Sequence, residues 1–249
     1  MGAGSFKDLF SGQSSDYAKF RPRYPHELFA YLSSLCVKRE RAWDCGTGSG
    51  QAAVALTNFF DRVVATDPSE KQLANAERNP RIEYHPATAE HSGLPDRSVD
   101  LVTVAQALHW FKHDEFYAEV RRVLPPGAPL AVWCYERCFV DPGIDRIVHE
   151  LYRNVLGSYW EKERLLVEQG YREVPFPFEE LQTSRFEIKM NWSLEHLIGY
   201  LGTWSALQKY VAQRGENPLD AFAPRLARAW GAAPVRPVSW PLSLRVGRV

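Results

Sequence analysis

Apolar runs and amphipathic stretches alternate along the middle of the chain, and this alternation predicts the fold. Five short runs are mostly apolar, as buried strands are, and they end at Asp44, Asp67, His85, Ala105 and Tyr135. Between these runs, apolar residues recur every three to four positions, as in helices, most clearly in residues 49–60 and 114–124. Strands that alternate with helices form a parallel, doubly wound sheet. The chain is therefore predicted to be an α/β protein.

The last third of the chain follows a different pattern. Residues 186–190 alternate like a strand, and residues 242–246 are predicted to form a terminal strand. Helical periods occur in residues 144–156, 193–207 and 219–230. We expect the two strands to add an antiparallel edge to the parallel sheet, which would then have seven strands. The helices between them are expected to cover the sheet.

The loop after the first predicted strand has the composition of a ligand-binding loop. Gly46, Gly48 and Gly50 follow Asp44 in a G-x-G-x-G pattern, and the second strand ends on Asp67. Glycines allow a tight turn and let a ligand approach the backbone closely. A carboxylate about twenty residues beyond such a loop stands where a ribose diol would lie. This βαβ unit is therefore predicted to bind a nucleoside cofactor.

Two details distinguish between the candidate cofactors. The dinucleotide pattern G-x-G-x-x-G needs a third glycine at position 51, where this chain has Gln51. The carboxylate of Asp44 would repel a pyrophosphate and attract an amino group. S-adenosylmethionine carries an ammonium and a sulfonium group and no phosphate, so it is the expected cofactor. A nicotinamide-dependent dehydrogenase is disfavoured, and a loop that only joins strand to helix is the structural alternative.

Polar residues also follow the third and fourth predicted strands. Ala89 and Glu90 lie beyond the third strand, Gln106 ends the fourth, and His109 comes three residues later. Ligands bind at the carboxyl ends of strands in open α/β sheets, so we expect these residues at one crevice. His109 is the candidate catalytic residue, either as a general base or as a donor that orients the acceptor. Helix capping or packing is the alternative role for this side chain.

The N-terminal segment carries aromatic and basic side chains between prolines. Tyr17, Arg21 and Arg23 would reach a ligand carboxylate or stack on an adenine if this arm lay over the crevice. An arm that only packs its aromatic side chains on the domain is an equal alternative.

Charge and cysteine content narrow the partners. Lysines and arginines number 30, as do aspartates and glutamates, and the pI is about 7.1, so no nucleic-acid partner is expected. The four cysteines have neither C-x-x-C spacing nor a nearby histidine pair, and no metal site is expected. The chain shows no run of 18 apolar residues and no leader pattern. We therefore expect a cytoplasmic protein without a membrane partner.

Taken in order, the motifs resemble those of class I S-adenosylmethionine-dependent methyltransferases. The segments that carry the resemblance are Asp44-x-Gly46-Thr-Gly48-Ser-Gly50, Asp67, Ala89-Glu90, Gln106-Ala-Leu-His-Trp110 and Leu124-Pro-Pro-Gly127. A narrower resemblance, to the methyltransferase type 11 group that includes trans-aconitate methyltransferases, rests on three segments: Tyr17-Ala-Lys-Phe-Arg-Pro22, Gln106 to Phe111, and Trp240-Pro-Leu-Ser-Leu-Arg245 near the end of the sequence.

The resemblance implies a Rossmann-like methyltransferase fold and assigns roles to these residues. Asp44, Gly46 and Gly48 would line the methionine part of the cofactor, and Asp67 would hold the ribose hydroxyls. Ala89 and Glu90 would frame the adenine, and Gln106 would face the cofactor. From the N-terminal arm, Tyr17 and Arg21 would close the site. The residues expected to contact the cofactor are Tyr17, Arg21, Asp44, Gly46, Thr47, Gly48, Asp67, Pro68, Ala89, Glu90 and Gln106.

The resemblance also implies an organisation and an activity. A single domain would comprise an N-terminal arm and helix (1–40), a cofactor-binding core (41–136), and the cover with the antiparallel edge (137–249). The expected reaction is methyl transfer to a small-molecule acceptor. A carboxylic acid is the acceptor that the narrower group suggests, with Arg21, Arg23 or Arg137 as its ligands. A regulatory or partner-binding module without transfer activity is the alternative on the same fold.

Overall fold

The structure of the protein is a computed structural model, and it describes residues 20–249. Tyr17, one of the residues expected at the cofactor, lies outside the described residues. The strands of the described chain are β1 (Arg41–Cys45), β2 (Arg62–Asp67), β3 (Ile82–Pro86), β4 (Leu101–Ala105), β5 (Pro129–Cys134), β6 (Glu179–Glu180), β7 (Phe186–Trp192) and β8 (Arg236–Arg248).

The sheet has the order β3-β2-β1-β4-β5-β8-β6, and β7 pairs with β8. Strands β1 to β5 pair in parallel, and β8 runs antiparallel to β5, β6 and β7. The strand order reverses between β1 and β4, so the carboxyl ends of these two strands flank the crevice where ligands bind in such sheets. The mostly parallel, doubly wound α/β fold is confirmed.

The expected number of strands is wrong, because the sheet has eight and not seven. The additional strand β6 is a pair of exposed glutamates, which have no apolar pattern to signal a strand. Strand β8 is also longer than expected, with 13 residues. Its first part, which pairs with β7, contains Pro237 and Pro241, and proline in a sequence usually argues against a strand.

The helices in residues 20–249 include every stretch where the periodicity predicts a helix, with some shifted ends. They are α1 (His26–Ser34), α2 (Gln51–Leu56), α3 (Glu70–Ala74), α4 (His113–Val123), α5 (Pro142–Glu150), α6 (Arg164–Glu168), α7 (Leu194–Gly202), α8 (Ser205–Arg214) and α9 (Leu219–Trp230). Helix α4 shows why they form, since Phe116, Val120 and Val123 are buried on one face. Its acidic first turn and basic last turn also match the helix dipole.

Two of the expected helices are interrupted. The one expected over residues 193–207 ends at Gly202, and α8 starts at Ser205 after an extended Trp204. The break turns the Trp204 ring into the interior, 5.7 Å from the ring of Trp160. The one expected over residues 144–156 changes after Glu150 to a π-helical turn. Neither break shows in the sequence, because the apolar spacing continues through both.

The central strands and the C-terminal third are both buried in packed regions. Strands β4 and β5 are almost entirely buried, which explains their unbroken apolar sequences. A separate cluster joins α5, α7, α8 and α9 to β7 and β8, with Trp192, Trp230 and Trp240 at its centre. We call this second region the cover.

Residues 20–249 contain neither a membrane-spanning helix nor a metal-binding cluster. No helix there is both long and apolar enough to cross a membrane. The same residues hold no group of three or more histidine, cysteine, aspartate or glutamate side chains arranged to bind a metal ion. The four cysteines are buried free thiols, and burial raises the pKa of Cys36, Cys134 and Cys138 to about 12.

Candidate active site

The loop between β1 and α2 is fixed to the neighbouring strand by its backbone. The amides of Gly46 and Thr47 both donate to the carbonyl oxygen of Thr66, each at 2.9 Å. The amide of Gly50 closes the turn by donating to the carbonyl of Thr47, also at 2.9 Å. The loop therefore has one defined path over the end of β2.

Two glycines give this loop its shape. Gly46 and Gly48 have φ angles of +68° and +55°, which residues other than glycine rarely adopt. A Cβ on Gly46 would come within 2.6 Å of the Ala107 Cβ, whereas a Cβ on Gly48 would meet nothing within 4 Å. The loop is thus packed against the turn after β4 at Gly46 and open at Gly48. The open side is where a ligand can approach the backbone.

Asp67 stands beside that opening. Its Oδ2 accepts a hydrogen bond from the Gly48 amide and its Oδ1 accepts one from the Ser69 amide, both at 2.9 Å. Asp67 therefore joins the loop to the end of β2, beside the open side of the loop.

Asp44 lies beneath the loop and is completely buried. The hydroxyl groups of Thr47 and Thr103 donate to its two oxygens at 2.6 and 2.8 Å. Burial raises the pKa of Asp44 to about 6, and the two threonine hydroxyls oppose this rise. Its carboxylate is therefore a source of negative charge under the loop that does not reach solvent.

The raised pKa of Asp44 predicts a pH-dependent stability. The folded protein binds this proton more tightly than the unfolded chain, whose carboxyl has the ordinary value of 3.8. The ionised group thus lowers stability above pH 6, and this cost disappears as the pH falls from about 6 to about 4. An asparagine side chain does not ionise, so Asp44→Asn does not have this cost. The unfolding free energy of the variant minus that of wild type should therefore rise by about 3 kcal/mol from about pH 4 to about pH 7.5. Denaturant titrations at several pH values measure it, and a difference that does not change with pH would contradict the account.

Three more residues expected to contact the cofactor follow β2 and β3. Pro68 is half-buried directly after β2, and Ala89 is buried beyond β3. The carboxylate of Glu90 accepts a hydrogen bond from the Lys112 amide at 3.0 Å. Glu90 therefore connects the segment after β3 to the start of α4, the helix that comes after β4 in the sequence.

Gln106 directly follows β4 in a strained backbone conformation, with a φ angle of +57°. Its Nε2 donates to the carbonyl of Tyr135 at 3.0 Å. Its Oε1 is buried and accepts no hydrogen bond from residues 20–249. A buried amide oxygen without a donor is costly, so this atom is suited to a ligand that brings one.

A cavity lies between this strand end and the cover. Its lining residues are Arg21, Gln106, His109, Trp110, Tyr135, Glu136, Trp160, Glu161, Arg164, Tyr200, Trp204 and Ser205. Two of them are arginines: Arg21 donates to the carbonyl of Thr203 at 3.3 Å, and Arg164 donates to the Tyr152 hydroxyl at 2.9 Å. The cavity thus combines aromatic walls with two guanidinium groups.

His109 reaches this cavity from a 3-10 turn, Leu108–Trp110, that follows β4. Its Nδ1 lies 2.9 Å from the hydroxyl of Tyr171. Burial, and secondarily the charges of Arg164 and His113, lowers the pKa of His109 to about 3. The imidazole is therefore neutral near pH 7.

Comparisons with known proteins identify the family of this chain. The methyltransferase domain family matches residues 43–132, which is the segment from β1 to β5. A Dictyostelium discoideum protein classed as a methyltransferase is 35% identical over 229 residues, covering 90% of this chain and 87% of that protein. The chain belongs to the class I S-adenosylmethionine-dependent methyltransferases. The members of this family are enzymes that transfer methyl groups.

Solved structures are similar to this methyltransferase along most of its length. One from Anaeromyxobacter dehalogenans, described as a type II methyltransferase, has a TM-score of 0.86 and 47% identity, covering 92% of this chain and 98% of that one. One from Anabaena variabilis, described as a methyltransferase of an antibiotic biosynthesis pathway, has a TM-score of 0.54 and 18% identity, covering 91% and 99%. At that identity the second comparison shows the fold alone.

The structure of the methyltransferase places some expected acceptor ligands outside the cavity. Arg23 is exposed and does not line it, and Arg137 lies on another surface with Phe139 and His149. Trp160 and Arg164 line it, although the sequence pattern had not singled them out. They lie in the stretch between α5 and β7, which has no motif. Tyr200 and Trp204 pack in the cover and also line the cavity.

Proposed function

We propose that this methyltransferase binds S-adenosylmethionine at the loop after β1 and transfers its methyl group to a small carboxylic acid in the cavity. One observation carries the proposal: the glycine loop and the Gln106–His109 turn follow two adjacent parallel strands. A cofactor on the loop and an acceptor against the turn would therefore be neighbours at the point where the strand order reverses.

The residues of the loop fit the cofactor. Gly48 leaves the backbone open, and the carboxylate of Asp67 stands beside it, at the end of β2 where a ribose diol would lie. The buried charge of Asp44 favours an ammonium group nearby, and Gln106 Oε1 can accept its hydrogen bond. Ala89 and Glu90 follow β3, where they would meet the adenine.

The cavity supports an anionic acceptor. Glu161 forms an ion pair with Lys209, and Glu136 forms one with Arg137, so the two acidic residues of the wall have basic partners. Arg164 donates to Tyr152 and to the carbonyl of Glu136, and these contacts engage two of its five N–H groups. Its guanidinium also lies over the Trp160 ring, 5.0 Å from the centroid, which fixes its plane. Planar guanidinium groups bind carboxylates bidentately.

The bound cofactor supplies a methyl group activated by a sulfonium. The enzyme's own task is to bring the acceptor oxygen into line with that group, and alignment of this kind can lower a barrier by about 7–11 kcal/mol. A carboxylate already carries the attacking lone pair, so the protein need not remove a proton from it.

Turnover with defined acceptors tests the proposal. The purified protein is incubated with S-adenosylmethionine and a panel of small carboxylic acids, and mass spectrometry follows methyl esters together with S-adenosylhomocysteine. The matched primary amides serve as controls, because they have the same shape without the charge. We expect methyl esters from at least one acid and no methylated amide. Methylation of amines or phenols with no ester from any acid would contradict the proposed acceptor.

A further inference from the structure

The contact between His109 and Tyr171 has a defined geometry that the proposed function does not use. The Tyr171 side chain is completely buried, and its hydroxyl lies 2.9 Å from His109 Nδ1. Its backbone has a φ angle of +60°, which is an outlier for a bulky residue. Arg245 donates to the carbonyl of Tyr171 at 2.8 Å and to that of Val174 at 2.7 Å. These contacts hold the strained segment so that the hydroxyl stays behind the imidazole.

The surroundings of the Tyr171 hydroxyl determine the direction of this hydrogen bond. Burial raises the pKa of Tyr171, and the nearby backbone amides of Leu108 and His109 oppose this rise. The hydroxyl proton needs an acceptor, and His109 Nδ1 is its hydrogen-bond partner among residues 20–249. If Nδ1 itself carried a proton, the buried hydroxyl proton would have no acceptor, which is unfavourable. Tyr171 therefore donates and His109 Nδ1 accepts.

This direction decides which nitrogen of His109 carries the proton. A neutral imidazole has one N–H, so an accepting Nδ1 places the proton on Nε2. A histidine that acts as a base through Nε2 needs the opposite tautomer, with Nδ1–H held by an acceptor such as a carboxylate. No described residue forms a hydrogen bond to Nε2 of His109, and the ring lines the cavity. The N–H on Nε2 is thus available to a ligand.

We propose that Tyr171 is a positioning residue that holds His109 in the Nε2–H tautomer, so that His109 donates a hydrogen bond to the acceptor and does not remove a proton from it. The part that concerns the acceptor rests on the proposed function, because it requires an acceptor in this cavity. The tautomer itself is a property of the protein alone.

The charged and titratable groups around His109 are consistent with this role. They are Tyr171 behind the ring, His113 on the following helix, Arg164 on the cover side, and Arg21, Glu136 and Glu161 on the cavity wall. Burial and the positive charges keep the imidazole neutral, since they lower the pKa of His109 to about 3. A neutral donor next to the Arg164 cation favours a negatively charged acceptor oxygen.

If His109 is a hydrogen-bond donor, the substrate that receives the methyl group must already be deprotonated when it binds. In the transfer, a lone pair of the carboxylate oxygen forms the new bond to the methyl carbon. The carbon–sulfur bond of the S-adenosylmethionine sulfonium breaks, and its electron pair stays on sulfur as a neutral thioether. No proton is released, so His109 can keep its Nε2–H throughout. An alcohol acceptor would need a base that this tautomer does not offer.

Nuclear magnetic resonance on the ligand-free protein tests the tautomer directly. Long-range ¹H–¹⁵N spectra distinguish the two ring nitrogens of a neutral histidine, and the signals of His109 are assigned by their loss in His109→Asn. From about pH 6 to about pH 8 we expect a neutral ring with the proton on Nε2. In Tyr171→Phe, which removes only the hydroxyl, we expect the two tautomers to mix. A proton on Nδ1 in wild type, or a tautomer unchanged in Tyr171→Phe, would overturn the inference.

Tyr117→Phe is the matched control. Tyr117 is also buried, and its hydroxyl donates to the carbonyl of Pro175 at 2.7 Å, so the variant loses an equivalent hydrogen bond. We expect it to leave the His109 signals unchanged. If both variants altered the His109 signals equally, the cause would be a general loss of packing around the site, and a specific role of Tyr171 would be excluded.

Kinetics separate this inference from the proposed function. With an accepted carboxylic acid, Tyr171→Phe should lower kcat/KM by about tenfold, as for one misplaced hydrogen bond. The wild-type pH profile should show no limb that belongs to His109 between about pH 6 and about pH 8. Absence of methyl esters with the Nε2–H signature intact would reject the proposed function and leave the tautomer standing. An Nδ1–H signature would reject the tautomer whatever the turnover.

Discussion

Replacing Asp67 with alanine is expected to weaken binding of S-adenosylhomocysteine by about 150-fold or more. Hydrogen bonds to a charged group contribute about 1.5–3 kcal/mol each, and a ribose diol would make two of them to this carboxylate. The substitution also removes the acceptor of the Gly48 amide at 2.9 Å, so the loop loses its connection to the end of β2. Isothermal titration calorimetry measures the change in affinity.

Two further variants define the cause of that loss. Asp67→Asn keeps the shape and one acceptor oxygen without the charge, and we expect an intermediate affinity. Asp61→Ala removes an exposed aspartate just before the opposite end of β2 and should bind like wild type. Equal affinities for Asp67→Ala and Asp61→Ala would mean that the ribose does not bind at Asp67.

Replacing Gly46 with alanine is expected to destabilise the fold and to abolish cofactor binding. A Cβ at this position would lie 2.6 Å from the Ala107 Cβ and 3.1 Å from the Phe111 ring, on a backbone with a φ of +68°. Backbone strain of about 1–2 kcal/mol and overpacking of about 1–3 kcal/mol add to a loss of about 2–5 kcal/mol in the unfolding free energy. Chemical denaturation measures the stability and calorimetry measures the binding.

Two other glycines provide the controls for Gly46. Gly215 follows α8 with a φ of +72°, and a Cβ there would meet nothing within 4 Å, so Gly215→Ala measures the cost of φ alone. Gly48→Ala has a similar cost in stability but places its Cβ in the open side of the loop, so it should mainly weaken binding. If Gly46→Ala were as stable as Gly215→Ala, the close contact with Ala107 would not limit the loop.

The cofactor half of the site was predictable because each of its signals is local. The run before Asp44, the glycines and the run before Asp67 lie within one βαβ unit, and parallel pairing then brings β1, β2 and β4 to one edge. The family comparisons confirm this part of the fold and the enzyme class. The roles of single residues at the loop stay predictions until a ligand is titrated.

The acceptor half could not be predicted from local patterns. Tyr171 lies 62 positions from His109, and no spacing in the sequence indicates that they meet. Arg164 and Trp160 reach the cavity only because α6 and the turn before it fold against the end of β4. The backbone break at Trp204 leaves the apolar spacing intact, so it is invisible in the sequence. In each case a tertiary contact decided what local propensity could not.

Calorimetric titration with S-adenosylhomocysteine is the most direct test of the central claim, that the loop after β1 binds this cofactor class. We expect saturable binding of one ligand per chain with a dissociation constant on the order of 1 μM, and no heat of binding with NADH. Binding of NADH without binding of S-adenosylhomocysteine, or of neither, would contradict the assignment of the loop.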